Sequence, residues 1–177
     1  LLSPAKPLPN LEMKTSTLFL TGILSLLGCT AQNKNERAEL ATNIETSITT
    51  ELLNKWYPAA VDKEYGGFLS TWTFDFKPTG EQDKMIVSQA RHVWTSAKAS
   101  EVYTNVPHYK ECATHGYQFL RDVMWDKQHG GFHTLVDRQG SVKSSPTEEI
   151  TAYGNAFAIY ALAAYYQLCQ VIPCRIF

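Results

Sequence analysis

The stretch Asp62-Lys63-Glu64-Tyr65-Gly66-Gly67-Phe68 returns as Asp126-Lys127-Gln128-His129-Gly130-Gly131-Phe132, an offset of 126 − 62 = 64 residues with five of seven positions identical. A match of that quality inside one chain marks an internal repeat. Each copy follows a segment of helical period ending near a tryptophan, Trp56 or Trp125, and each leads into alternating residues and a turn. After the first copy, Phe68, Ser70, Trp72, Phe74 and Phe76 fall on one side of an extended segment. Lys77-Pro78-Thr79-Gly80 has the composition of the turn that follows, with Pro second and Gly fourth. Asp137-Arg138-Gln139-Gly140 plays that part in the second copy. The glycine pair supplies the positive φ that bulkier residues resist. Each unit reads as helix, short β-hairpin, helix.

Working outward, four helices are expected. The first runs from Glu36 to Trp56, with Leu40, Ile44, Ile48 and Leu52 recurring every fourth residue and Leu53 and Trp56 extending the face, and Tyr57-Pro58 closes it. The second covers Lys84 to Tyr103, with a stripe of Met85, Ile86, Ala90, Val93, Trp94 and Ala97. The third covers Tyr109 to Trp125. The fourth starts at Thr147, where a Thr cap and two acids suit the helix dipole, and it carries no charge from Thr151 to Ile172. Its Ala and Tyr content favours burial among other helices over a membrane span. It also echoes the second helix: Gln89-Ala90 precedes Trp94 as Asn155-Ala156 precedes Tyr160, an offset of 155 − 89 = 66. The repeat is therefore a helix pair with its hairpin, a unit that needs stacked neighbours to bury both faces.

Composition excludes some classes of function. The 177 residues carry 16 basic and 17 acidic side chains for a net charge of −1, without a basic run, so nothing favours nucleic acid as a partner. Four cysteines without paired spacing make neither a disulfide framework nor a zinc site. Residues 1–12 read as upstream of a natural start at Met13-Lys14. Residues 13–28 then form a signal peptide whose apolar run, Leu18 to Leu27, is short for a membrane span. Leu26-Leu27-Gly28-Cys29 resembles the bacterial lipoprotein processing box, which implies lipidation of Cys29, a tether over 29–35 and a membrane partner at the cell envelope. A plain secretory signal with an incidental cysteine is the alternative.

The sharpest chemical candidate is Arg91 in Ser88-Gln89-Ala90-Arg91-His92-Val93-Trp94. On a helix it lies off the apolar stripe, and its guanidinium offers fixed donors that can grip sugar hydroxyls or polarise a carbonyl oxygen. The competing reading is a surface arginine or a bridge to a neighbouring loop. Trp72, Trp94, Tyr103 and Tyr153 can stack on pyranose faces, although large rings at these spacings more often pack in cores. His129 and His133 have a spacing that binds metal on a helix, but Gly130-Gly131 places a hairpin there, and no metal or other cofactor is expected.

Four linked motifs carry a resemblance: Tyr65-Gly66-Gly67-Phe68, Gln89-Ala90-Arg91 with Trp94, Trp125-Asp126 with Gly130-Gly131-Phe132, and Tyr153-Gly154 with Ala156-Phe157-Ala158. Their order and spacing, over about Leu40 to Tyr166, resemble the N-acylglucosamine 2-epimerase family, which includes cellobiose 2-epimerases and mannose isomerases. The resemblance implies an all-α domain over 36–177, a partial (α/α)6 barrel of two helix pairs with short β-hairpin loops. It implies C2 proton transfer on a reducing mono- or disaccharide through an enediol, with two histidines as acid and base. Arg91 matches the arginine that holds the carbonyl region. Tyr153 and Asn155 match pocket positions at the start of the fourth helix, and Trp72 stands on a hairpin over the mouth. None of the five histidines matches an acid/base motif, so the chain is expected to be cut short and inactive alone. A glycoside hydrolase on the same toroid and a surface sugar-binding lipoprotein are the other readings; the first needs paired carboxylates that the inner helices do not offer.

Overall fold

The structure is a computed structural model that describes residues 33–145 and 149–171. The signal-peptide, tether-start and Cys29 expectations lie outside the described residues, as do Thr147 and Glu148 at the expected helix start. Contacts divide the chain into Leu1–Ser47 and Ile48–Phe177. In the first unit, residues 33–46 are α-helical and exposed to solvent. Ser47–Leu53 wind as a π-helix and Asn54–Trp56 return to α, a stretch that we call α1. Ser47, Thr49 and Thr50 lie in the π-wound part, and hydroxyl side chains of this kind compete for backbone partners in a helix.

The first apolar stripe is corrected by the structure. Leu40, Ile44, Ile48 and Leu52 are 59, 51, 41 and 48% exposed, whereas Leu53 and Tyr57 are buried. The wider π turn takes an extra residue and turns Leu53, not Leu52, into the core. Tyr57 is extended, as expected of a residue before proline, and ends the helix.

The other helices are α2, Ile86–Val102; α3, Pro107–Phe119 with a π-wound extension at Leu120–Met124; and α4, Ala152–Val171. Lys84–Met85 form strand β1 rather than the first turn of α2, paired antiparallel with β2, Leu135–Val136. α2 is central and packs against both α3 and α4. Its buried face is Ile86, Ala90, Val93 and Ala97, as the stripe predicts, while Met85 points out. α4 begins later than expected because the side chain of Thr151 is the cap: its Oγ1 accepts the Gly154 N–H at 3.0 Å. Ala158, Ala161 and Ala164 are buried and bring α4 close to its neighbours, and Tyr165 stacks on Tyr117 of α3 at 4.5 Å. The expected burial of α4 among other helices holds for one face only. Tyr153, Ile159, Tyr160 and Tyr166 form an exposed face. Among the described residues no helix is long and apolar enough to cross a membrane.

The repeat is reproduced bond for bond. In both copies the aspartate N–H donates to the second glycine carbonyl at 2.9 Å, and the first glycine N–H donates back to the aspartate carbonyl at 3.0 Å. Asp62 and Asp126 each accept the backbone N–H groups two and three residues on. Gly66 and Gly67 have φ of 80° and 67°, Gly130 and Gly131 of 76° and 88°, in the region that L side chains rarely adopt. The hairpins themselves are sparser than expected: Val61 and Phe68, Trp72 and Pro78, Trp125 and Phe132, and Val136 and Val142 make isolated bridges. The first turn lies at Thr73–Phe76, where the Phe76 N–H reaches the Thr73 carbonyl, and Pro78 is already on the returning strand. Phe74 is thus fully solvent-exposed at the tip. The second turn is where the sequence places it, with Gly140 N–H donating to the Asp137 carbonyl at 3.1 Å.

Candidate functional site

The groove that holds Arg91 is built where α2 runs beside α4. Under the 66-residue offset, Arg91 corresponds to Phe157 (157 − 66 = 91) and Trp94 to Tyr160 (160 − 66 = 94). These pairs meet. The Arg91 guanidinium carbon lies 5.1 Å from the Phe157 ring centre, and Trp94 stacks on Tyr160 at 5.2 Å with 18° between planes. With Thr95 and Ala156 they line a pocket of about 610 Å³. Its walls are mainly apolar, so a cation over an aromatic face is its dominant electrostatic feature. Arg91 is exposed on its helix, and its other side opens on a second pocket of about 280 Å³ with Trp56, Ser88, His92 and Thr95.

Tyr153 sits one turn before Phe157 and meets its ring edge-on at 5.0 Å, so Arg91 and Tyr153 flank the same aromatic side chain. Tyr153 is 65% exposed, leaving its hydroxyl free of the core. Phe157 is the residue that sequence reading missed as part of this site. The offset that maps it onto Arg91 was the available signal.

Asn155 and Trp72 stand elsewhere. Asn155 Oδ1 accepts the Phe132 N–H at 3.2 Å and its Nδ2 donates to the Thr151 carbonyl at 2.8 Å. Its pocket, of about 550 Å³, is shared with Gly131, Phe132 and Ile159. Gln89 makes the corresponding contact in the first repeat, accepting from Phe68 N–H at 2.8 Å and donating to the Phe68 carbonyl at 2.9 Å. Trp72 donates its indole N–H to the Leu69 carbonyl at 3.0 Å and meets Trp56 edge-on at 5.4 Å. It lines a fourth hollow with Lys55, Ser70 and Phe74. Trp56 connects that hollow to the smaller Arg91 pocket, since it lines both.

Four of the five histidines lie beside other polar groups. The His92 ring stacks on Phe68 at 4.5 Å and its Nδ1 lies 3.0 Å from the Tyr57 hydroxyl. Burial pushes its pKa down to about 4, so it is neutral at pH 7. Burial likewise raises the Tyr57 phenol far above its ordinary value. His115 Nε2 lies 2.9 Å from the Gly67 carbonyl, His129 Nδ1 2.9 Å from Asp126, and His133 Nδ1 3.1 Å from Glu149.

A buried ion cluster ties the two repeats together. The Lys84 ammonium donates to Asp62 at 2.9 Å, to the Gly66 carbonyl at 2.6 Å and to the Arg138 carbonyl at 2.9 Å. Arg138 in turn binds both Asp62 oxygens, at 3.0 and 3.2 Å. Burial alone raises a carboxyl pKa, but the donors from Arg138, Lys84 and the Tyr65 N–H outweigh it and hold Asp62 well below the usual range.

The chain is similar to sugar epimerases and isomerases throughout this region. Relatives include cellobiose 2-epimerase of Dictyoglomus turgidum, 30% identical over 132 residues that cover 72% of this chain and 32% of that protein. D-mannose isomerase of Marinomonas mediterranea is 33% identical over 106 residues, 60% of this chain and 25% of that one. Among solved structures, cellobiose 2-epimerase of Spirochaeta thermophila superposes with a TM-score of 0.63 at 32% identity, covering 77% of this chain and 32% of that one. That of Bacillus thermoamylovorans gives 0.66 at 26% identity, covering 75% and 33%. The chain thus spans about one third of the length of the relatives it matches. The fold is that of two helix pairs of an (α/α)6 barrel. A sequence profile of the N-acylglucosamine 2-epimerase (GlcNAc 2-epimerase) family matches residues 66–170, and the chain belongs to that family.

Proposed function

We propose that this chain supplies the carbonyl-binding wall of a sugar 2-epimerase or aldose–ketose isomerase that acts on a reducing mono- or disaccharide. The observation that carries this reading is Arg91, exposed in an aromatic groove with its guanidinium over the Phe157 ring, which Tyr153 meets edge-on. In the proposed reaction the open-chain carbonyl oxygen accepts hydrogen bonds from Arg91. The fixed cation then stabilises the negative charge that gathers on that oxygen as the C2 proton leaves and the enediol forms. Pyranose faces stack on the exposed aromatic rings. Proton transfer needs a base within about 3 Å of the C2 hydrogen. Among the described residues no imidazole lines the larger Arg91 pocket, and His92, which lines the smaller one, is engaged with Tyr57. The 177 residues alone are therefore proposed to bind sugar without turning it over. We further propose that Cys29 carries the lipid anchor that places the protein at the bacterial envelope; Cys29→Ser would abolish incorporation of labelled palmitate.

The test is a chimera in which residues 36–171 replace the matching third of the Dictyoglomus turgidum enzyme. Incubation in deuterated water with mannose, cellobiose and N-acetylglucosamine is expected to place deuterium at C2 of at least one sugar. Arg91→Ala in the chimera is expected to lower kcat by about 100-fold, the usual effect of removing an oxyanion donor. Glycosidic cleavage, binding without exchange, or full activity of the Arg91→Ala chimera would each overturn the proposal.

A further inference from the structure

Alternation places Ser70, Trp72, Phe74 and Phe76 on one side of the first hairpin, and all four line one hollow of about 880 Å³ in which Arg91 has no part. Large rings at such spacing commonly pack into a core. Here Trp72 and Phe76 are only half-buried, and Phe74 is fully exposed at the hairpin tip. Three aromatic side chains thus share a surface that the carbonyl-binding reading leaves unused.

The hairpin holds these rings in place. The buried amide of Gln82 accepts the Ser70 and Thr71 N–H groups at 2.8 and 3.1 Å and donates to the Thr71 and Thr79 carbonyls at 2.9 and 2.8 Å, so one side chain pins both strands. The Trp72 indole is fixed by its bond to the Leu69 carbonyl. At the tip, the Thr73 hydroxyl donates to Asp75 at 2.6 Å and accepts the Lys77 N–H at 3.1 Å. Phe76 is, among the described residues, the one non-glycine with positive φ, at 59°. A bulky side chain resists that backbone, and strain of this kind persists where the surrounding structure enforces it and points to a role for the group it positions. The Phe76 ring meets Trp56 edge-on at 5.3 Å, and Trp56 meets Trp72 edge-on at 5.4 Å. An edge-on contact takes at most one face of a ring. Rings immobilised before a ligand arrives lower the ordering cost of binding it.

The chemistry of the lining selects the ligand. Beside the rings stand the hydroxyls of Ser70 and Thr73 and one charge of each sign, Lys55 and Asp75, which favours a neutral polar ligand over an ion. A sugar ring has that duality, with apolar C–H faces and a rim of hydroxyls. A β-linked oligosaccharide of all-equatorial rings repeats flat apolar faces along its length. The volume lies toward the upper end of the range of about 300–1,000 Å³ for small-molecule sites, room for more than one ring. We infer that this hollow is a saccharide-binding site for a flat, β-linked oligosaccharide, which stacks on Trp72 and Phe74 and hydrogen-bonds to Lys55, Ser70 and Asp75. The inference goes beyond the carbonyl-binding reading: it makes no use of Arg91 and stands whether or not that residue binds a carbonyl.

The test titrates cellotetraose, an all-equatorial β-linked probe, into the 177-residue chain labelled with ¹⁵N at its four tryptophans. The Trp72 indole resonance is assigned by its loss in Trp72→Phe. It is expected to shift saturably with cellotetraose, and glucose is expected to bind at least tenfold more weakly. Phe74→Ala removes a fully exposed ring without touching the bonds that brace the hairpin, and it is expected to weaken binding at least threefold. Phe76→Gly relieves the left-handed backbone while deleting its ring, and the same loss is expected. Absence of a Trp72 shift at about 10 mM cellotetraose, about ten times a Kd on the order of 1 mM, would overturn the inference. So would unchanged affinity in both phenylalanine variants. Trp94 lines the larger Arg91 pocket and reports on it separately. A Trp94 shift without one at Trp72 would leave the carbonyl-binding reading standing and overturn this one, whereas a Trp72 shift alone would support only this one. Sedimentation showing a dimer that Phe74→Ala breaks and cellotetraose does not displace would assign the surface to a second copy, against the inference.

Discussion

Replacing Lys84 with methionine removes the one buried ammonium from the cluster that joins the two repeats. The Lys84 and Asp62 side chains are 0% and 1% exposed, so water does not screen their interaction. The substitution keeps the aliphatic stem and deletes three hydrogen bonds at once. It leaves the carbonyls of Gly66 and Arg138 without that donor and Asp62 dependent on Arg138, which is 36% exposed. Breaking a buried pair by removing one partner costs about 3–5 kcal/mol. The remaining Arg138 contact places Lys84→Met near the lower end, about 3 kcal/mol. With a urea slope of about 1–3 kcal/mol per molar for a domain of this size, the unfolding midpoint falls by about 1–3 M. Asp62→Asn alone strands the ammonium in its turn. The double variant is therefore expected to cost clearly less than the sum of the two, by more than about 1 kcal/mol of coupling. The assay is urea unfolding followed by circular dichroism for the four members of the cycle. A loss under about 1 kcal/mol for Lys84→Met, or additive single losses, would refute the assignment of this cluster as the tie between repeats.

Other outcomes follow from the same structure. Gln89→Leu leaves the buried Phe68 N–H and carbonyl unsatisfied and is expected to cost about 2–4 kcal/mol in the same assay, one lost partner for each group. Acidification is expected to destabilise the chain in two stages. His92 has a folded pKa depressed from 6.5 to about 4, so its contribution is complete above 6.5 and is lost as pH falls toward 4. Asp62, held below the ordinary carboxylate value near 4, loses its contribution only at lower pH still. Thermal melts from pH 8 to pH 3 should show the first stage and the onset of the second, and His92→Gln should remove the first. Arg91→Ala is expected to change stability by less than about 0.5 kcal/mol, as for an exposed side chain, so any loss of sugar handling it causes is not a folding effect.

The legible features of this chain are those written in local pattern. The Asp-x-x-x-Gly-Gly-Phe loops were readable because an aspartate that caps its own turn and a glycine pair at positive φ are demands of backbone sterics, met within seven residues. The α2 stripe and the turn at Asp137 to Gly140 are local in the same sense. The 66-residue echo of Gln89 in Asn155 was visible as spacing, although what the amides do, gripping the Phe68 and Phe132 backbone, was not. What tertiary structure alone decided is whatever depends on partners far along the chain. Lys84 meets Asp62 across 22 residues and Arg138 meets it across 76, and no periodicity announces either pairing. The same holds for the open stripe of α1, the exposed face of α4 and the division of Arg91, Trp72 and Asn155 among separate hollows. Hydrophobic pattern states which side chains favour burial; which of them achieve it depends on the neighbours that packing brings to their face.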